Sequence, residues 1–224
     1  MSTLTSSVPV AAAAAPVASG RPATLVPFVR QTLAGLRVLL VLAVLLGVVY
    51  PLAVTGVAQV ALGWRADGSL VAADGSHVRS RSDAVGSALV GQSFDGPRWF
   101  QPRPSVAGDG YDTLASGGSN LGPNNPDLVA TIEQRRAAVA EREGVDPASV
   151  PPDAVTASAS GLDPDISPAY ARLQVARVAR ENGLPVADVA ALVERSIVGR
   201  DLGFLGEPRV SVLRLNLALR TMGS

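Results

Sequence analysis

Residues 38–62 form a run of 25 without a charged side chain. As a helix this run measures about 37 Å, whereas the hydrocarbon layer of a bilayer is about 30 Å thick. It is long enough to cross with some tilt. A secretory signal has a shorter apolar core, about 7–15 residues, and a small-residue cleavage site. A buried soluble helix needs only about 10–14 apolar residues. The run therefore predicts one transmembrane helix. Tyr50-Pro51 falls inside it and predicts a kink. Ala43 and Gly47 stand four apart on one face and suit close approach of another helix.

Charge gives this helix a direction. No acidic residue precedes Asp67; Arg21, Arg30 and Arg37 stand before the run and only Arg65 follows it closely, four positive charges in all. The remaining fifteen arginines face nineteen carboxylates, so a formal net charge of +0 conceals a split of +4 and −4. The positive-inside rule places the N-terminus in the cytoplasm and the chain beyond about residue 65 outside. Three segments are expected: a disordered cytoplasmic leader over 1–37, rich in Ala, Ser, Thr and Pro; the transmembrane helix over 38–62; and a compact extracytoplasmic α+β domain over 63–224.

Residues 66–74 look like a hairpin, with Asp67-Gly68 and Asp74-Gly75 as turns. Asn125-Pro126 caps a helix that Gly144 stops, with Leu128, Ile132 and Val139 near one face. Ser167-Pro168 starts a second helix, with Ala171, Val175 and Val178 at helical spacing, that ends at Asn182-Gly183. A third runs from about Pro185 to Ile197, with Val186, Val189, Ala190 and Val193 inward. In residues 210–219 the leucines at 213, 215, 217 and 219 alternate with other residues, which suits a strand, with a terminal helix as the alternative.

Composition excludes several chemistries. There is no cysteine, one histidine and no lysine, all nineteen basic residues being arginine. Disulfides, thiol nucleophiles, Walker A phosphate binding and the two-histidine zinc site are excluded. Zero net charge and few aromatic residues argue against a nucleic-acid partner. Four polar, glycine-rich stretches remain as sites: 91–94 (Gly-Gln-Ser-Phe), 100–105 (Phe-Gln-Pro-Arg-Pro-Ser), 116–123 (Ser-Gly-Gly-Ser-Asn-Leu-Gly-Pro) and 156–164 (Thr-Ala-Ser-Ala-Ser-Gly-Leu-Asp-Pro). A hydrolase would use Ser119 or Ser160, but His77 is the only base of its kind and reads as a solvated turn residue. Asp163 and Asp165 flank Pro164, and a turn with Ser167 as helix cap outweighs a calcium loop. Ser158, Ser160 and Gly161 offer hydroxyls and N–H groups ahead of a helix start. With Gln174 they form the candidate nucleotide contact. Arg103 either binds a carboxylate or carbonyl within a rigid loop or serves a docking loop.

Taken in order, several segments resemble the C subunit of the bacterial Kdp potassium-transporting P-type ATPase, the KdpC family. They are Tyr50-Pro51-Leu52, residues 86–92, Arg103-Pro104-Ser105, residues 116–121, 156–163 and 174–179, and Leu215-Asn216-Leu217-Ala218-Leu219. The resemblance covers the chain from Tyr50 to about Leu219. Asp165 departs from it, standing where His or Asn is frequent, and Ser211 stands where Asn is usual. The leader is longer than in the family.

The resemblance implies a subunit that is not itself an enzyme. It would assist assembly of a high-affinity potassium-uptake complex and act as a catalytic chaperone that raises the ATP affinity of the pump subunit. Its partners would be the channel-like A subunit, the P-type B subunit and the small F subunit. ATP and potassium would be handled by the complex, with no covalently bound cofactor. Docking candidates are Tyr50, Pro51, Arg103, Ser119, Asn120 and Asn216. The P-type motif Asp-Lys-Thr-Gly cannot occur in a chain without lysine. An outer domain also conflicts with direct contact to ATP, which is inside the cell. A membrane-anchored extracytoplasmic hydrolase and a solute-binding protein remain the alternatives.

Overall fold

A computed structural model describes residues 25–223. The chain falls into two units, divided between Val54 and Thr55. Residues 1–24 of the expected leader, with Arg21, lie outside the described residues.

In the first unit a helix begins at Leu25, ahead of the boundary expected at residue 38. Helix α1 covers Leu25–Val44 and buries no residue. A π-helical turn, Leu45–Val49, follows, and α2 starts at Tyr50 and continues to Ala61. The continuous helix Leu25–Ala61 is 37 residues long, and its most apolar window has mean hydropathy 2.6. From Val38 to Val49 this helix is apolar around its whole circumference, as a helix that meets lipid must be. Residues 25–37, placed in the disordered leader by composition, are helical and carry Arg30 and Arg37. The π turn has an identifiable cause. Pro51 has no N–H, and its ring would collide with the Gly47 carbonyl in a regular α-helix. Widening the preceding turn relieves that collision.

The second unit has two small antiparallel sheets and five longer helical segments. A short helix α3 (Gly63–Ala66) leads into β1 (Leu70–Ala72), which pairs with β2 (Ala84–Ser87) through Leu70↔Ser87, Val71↔Gly86 and, after a bulge, Ala72↔Ala84. The expected hairpin turn lies at Asp74-Gly75, where Asp74 accepts a 2.9 Å bond from the Ser76 N–H and Gly75 has φ +83°. Asp67-Gly68 instead joins α3 to β1.

Helix α4 (Pro126–Glu143) has the caps read from the sequence. The Asn125 side chain accepts from Asp127 and Leu128 N–H groups, and Gly144 closes the end at φ 68°. The helix expected from Ser167 to Asn182 is interrupted: α5 (Pro168–Leu173) and α6 (Val175–Asn182) meet at Gln174. Helix α7 covers Val186–Ser196; Val189 and Val193 are fully buried, but Val186, expected inward, is 55% exposed.

The end of the chain corrects the strand reading. Only Val210–Ser211 (β4) is extended, pairing with β3 (Asp165–Ile166), and Val212–Met222 is helix α8. The leucine alternation is the sum of two helical stripes. Val212, Leu215 and Leu219 enter the main core, while Leu213 and Leu217 join Val71 in a second cluster. A helix wedged between two cores shows i, i+4 spacing on each side.

The main core gathers residues of α4 to α8 around Phe100, Val155 and Ile166. Into it runs the segment 97–101, an exposed turn at Pro97-Arg98 followed by buried Phe100, and its backbone has no neighbouring strand. Side chains replace that strand. The Asn216 amide, on α8, accepts from the Phe100 N–H and donates to the Phe100 carbonyl, both at 2.9 Å. The Gln174 amide does the same for Gln101, at 2.6 and 3.1 Å. Arg177 donates to the Pro97 and Trp99 carbonyls, to Gln174 Oε1 and to Glu143 Oε2. Asn182 donates to the Arg98 carbonyl at 2.8 Å. Gln174 is fully buried, and Arg177 and Asn216 are 1% and 2% exposed.

Arg177 and Glu143 form a 2.9 Å ion pair with side chains 1% and 0% exposed. Removing one member of such a pair leaves the other charged and buried, at about 3–5 kcal/mol. Arg177→Met is therefore expected to lower the melting temperature of the purified full chain by roughly 10 °C. Arg180→Met, at an exposed ion pair with Glu181, should leave it unchanged. Thermal unfolding of the two variants side by side checks this.

Candidate subunit-docking surface

The glycine-rich stretches fold against one another. Gly91 N–H donates to the Leu162 carbonyl at 2.8 Å, and Gly117 N–H and Ser116 Oγ both donate to the Ser160 carbonyl, at 2.9 and 3.0 Å. Ser105 Oγ donates to the Gly161 carbonyl at 2.7 Å and accepts from the Tyr111 N–H at 2.8 Å. Tyr111 donates its hydroxyl to the Arg103 carbonyl, and burial, reinforced by the Asp163 carboxylate, pushes that hydroxyl's pKa above the usual tyrosine value. The glycines permit this contact. A Cβ on Gly91 would lie 2.5 Å from the Asp163 carbonyl oxygen, and one on Gly161, at φ +67°, 2.8 Å from the Ala107 Cβ. Arg103 lies within this body, 2.9 Å from Asp163 and 3.4 Å from the Thr156 carbonyl, in agreement with the rigid-loop expectation.

This arrangement bears on each expected contact. Ser160 Oγ accepts from the Leu162 N–H at 3.1 Å and lies 3.5 Å from Ser158 Oγ, while the Gly161 N–H donates to the Ser158 carbonyl at 3.3 Å. The Gly161 N–H is thus engaged with the loop itself. Gln174 stands apart from this group, its amide closed on Gln101 and Arg177. Asn216 likewise holds Phe100 and presents nothing outward. Ser119 and Asn120 are exposed, Asn120 with φ 54°, and Tyr50 is 61% exposed on the apolar helix. His77 stacks on Trp64 at 3.7 Å, and its ring nitrogen lies 3.2 Å from Arg214 Nη2, so its partners are a ring and a guanidinium and not Ser119 or Ser160.

Beside the loops lies a cleft of about 600 Å³ that includes Arg103, Asp153, Asp163, Asp165, Glu207 and Arg209. Its carboxylates have partners. Asp153 accepts from Ser167 N–H and Oγ, Asp165 meets Arg209 at 3.3 Å, and Glu207 meets Arg200 at 2.7 Å. Ser167 also caps α5, accepting from the Tyr170 N–H at 3.0 Å. The two departures from the family pattern face each other, Asp165 and Ser211 being Cα partners in the β3–β4 pair. Burial, then the neighbouring Asp163 carboxylate, raises the Asp165 pKa, opposed by Arg209 and Arg214.

Residues 198–209 form a feature absent from the expectations. The backbones of Val198 and Arg209 exchange bonds at 2.8 and 2.9 Å, and those of Asp201 and Leu205 exchange two at 2.9 Å. Leu202 and Gly203 turn the tip at φ 54° and 82°. Arg200–Glu207 and Arg209–Asp201 ion pairs brace the stem. At the tip Leu202 is 83% exposed and Phe204 69%. A braced hairpin that holds apolar groups in water, rimmed by charge, marks an interaction surface. Its sequence signal was Leu202-Gly203-Phe204-Leu205-Gly206, an apolar run placed in a glycine turn instead of a helix or strand.

Two outcomes follow for the loop body and the cleft. Gly161→Ala should lower full-chain stability by at least about 1 kcal/mol, because positive φ and the collision with Ala107 act together; denaturant titration reads it. For Asp165, a raised folded pKa means that the folded state binds its proton up to a higher pH than the unfolded state. The charge penalty is thus absent below the ordinary aspartate range and complete above the folded pKa. Asp165→Asn should therefore unfold at a higher temperature than the parent near neutral pH, and this advantage should vanish on acidification. Melting curves across pH check it.

A family model described as KdpC, K+-transporting ATPase, c chain, matches residues 32–221. The potassium-transporting ATPase KdpC subunit of Kineococcus radiotolerans is 58% identical over 192 residues, covering 86% of this chain and 94% of the relative. The KdpC subunit of Beijerinckia indica is 51% identical, covering 81% and 88%, and that of Mycobacterium tuberculosis 50%, covering 85% and 97%. The match enters the apolar helix and continues through α8, so it takes in the clamp around Phe100, the loop body and the hairpin alike. The chain belongs to the KdpC family, the accessory c chain of the Kdp potassium-transporting ATPase and not its catalytic subunit.

Proposed function

We propose that the chain assists assembly of a high-affinity potassium-uptake ATPase and acts as a catalytic chaperone that raises the ATP affinity of its pump subunit. Its partners are the channel-like A subunit, the P-type B subunit and the small F subunit. The charge split around the apolar helix supports a single-pass topology with the N-terminus in the cytoplasm and the folded domain outside.

The carrying observation is the braced apolar hairpin at residues 198–209, a surface built for a protein contact and not for chemistry. The effect on ATP then acts through subunit contacts and the membrane helix. This is favoured over direct nucleotide contact because the Gln174 amide and the Gly161 N–H are already engaged inside the fold. Potassium attraction by outer carboxylates is a modest addition at physiological salt.

Co-purification from cells tests the proposal. With this chain present, a tag on it should recover the A and B subunits, and membranes should show potassium-stimulated ATPase activity; without it, both should be lost. Full assembly and activity in its absence would end the reading. Leu202→Glu together with Phe204→Glu should reduce recovery by at least about tenfold, since each apolar side chain buried at an interface contributes about 1.5–3 kcal/mol. Protease accessibility of the domain in intact cells reads the orientation.

A further inference from the structure

One pocket of the domain runs against its charge balance. Beyond Arg65 nineteen carboxylates outnumber fifteen arginines, yet three arginines and no carboxylate line a pocket of about 270 Å³ between α4 and the segment 101–104. Helix α4 brings Arg135 and Arg142 to one face, two turns apart, with the small Ala138 between them. Arg103 enters from the segment 101–104, held between Pro102 and Pro104. These charges are only partly answered. Arg103 has Asp163. Arg142 has Glu143, which must also neutralise the buried Arg177. Arg135 has no carboxylate among the described residues, and its one bond is to the Val155 carbonyl at 3.3 Å. Four guanidiniums thus share two carboxylates. Tyr170, on α5 and 1% exposed, lines the same pocket. Its hydroxyl accepts from Arg142 Nη2 at 3.0 Å, and its own proton goes to no acceptor among the described residues. Burial raises its pKa, against the pull of Arg142, so that proton is retained at neutral pH.

We propose that this pocket binds a phosphate-sized oxyanion, held by Arg135 and Arg142 of α4, Arg103 of the proline-held segment and the Tyr170 hydroxyl. Guanidinium forks match the paired oxygens of a phosphate, and a neutral hydroxyl beside them adds a donor that only an acceptor-rich ion can use. A recess lined by charge of one sign concentrates the opposite ion. Size sets the ligand class. Pockets for drug-sized ligands run about 300–1,000 Å³, so a whole nucleotide is too large for this one and a single phosphate is not. Bound there, the ion joins α4 to the segment 101–104 and meets the donors that Arg135 and Tyr170 leave open. The same oxyanion occurs free or at the end of a phosphomonoester, and the two probes of the test tell these sources apart. The inference goes beyond the subunit role and does not depend on it.

The test uses the purified full chain in neutral detergent. Calorimetric titration with inorganic phosphate, and separately with glycerol 3-phosphate, is run at constant ionic strength set by chloride. At least one probe should bind with one site per chain, and the tighter of the two identifies the free ion or the ester as the source. The melting temperature should rise with that probe and saturate. Arg135→Gln is the discriminating variant, because Arg135 holds only a carbonyl within the fold. It should weaken binding by at least about tenfold and leave the melting temperature without ligand unchanged. Tyr170→Phe should weaken binding by about fivefold. Arg136→Gln, one residue along α4 and outside the pocket, should bind as the parent does. No binding heat from either probe would overturn the inference, as would equal affinity in the parent and Arg135→Gln, or an equal loss in Arg136→Gln. None of these results touches the co-purification that tests the subunit role.

Discussion

The segment from Pro97 to Gln101 carries Phe100 into the core without a strand beside it, and the rest of the domain is arranged to receive it. Burying backbone outside a sheet requires that its N–H and carbonyl groups find partners. Here Asn216 and Gln174 each offer one acceptor and one donor from a single amide, which reproduces the pairing of a neighbouring strand for Phe100 and Gln101. Arg177 takes two further carbonyls and is itself neutralised by Glu143 from α4. Through this clamp α4, α6 and α8 are all tied to one segment. Replacing any of these polar groups by an apolar one leaves buried partners unmet, which costs more than the bond contributes.

The same economy of donors shapes the surface. Glycine-rich loops that could cradle a phosphate in isolation are instead braced against each other, with Gly91 and Gly161 bringing backbones too close for a Cβ. What the domain presents is a stiff body and an apolar hairpin tip. A chain with these properties contributes shape and contact to an assembly, in keeping with an accessory subunit that has no lysine for the phosphorylation motif.

Much of the local structure was legible in the sequence. The caps at Asn125, Gly144 and Ser167 and the turn at Asp74-Gly75 follow from side chains acting on backbone within a few residues. The kink expected at Tyr50-Pro51 took the form of a π turn placed just ahead of the proline. The α+β class also stood. Where reading failed, a distant partner had decided the outcome. The leucines of α8 alternate because two separate cores receive them, and a strand and a doubly buried helix share that pattern over ten residues. Gln174 reads as part of a nucleotide contact from its place in the helix after residues 158–161, and Asn216 as a docking residue from the family resemblance; both are buried. Their partners stand 73 and 116 residues away in the chain, and nothing local points to them.

By itself the sequence determined that one helix is apolar enough to cross a bilayer, that the charge is divided across it, and that lysine and thiol chemistry are absent. These are properties of composition and short-range order, and solvent alone enforces them. Only the tertiary structure decided that the Gln174 and Asn216 amides are internal clamps, that the glycine loops close on themselves, and that residues 198–209 project apolar groups into water. Those outcomes depend on which buried backbone group meets which side chain, and that pairing exists only once distant segments have packed together.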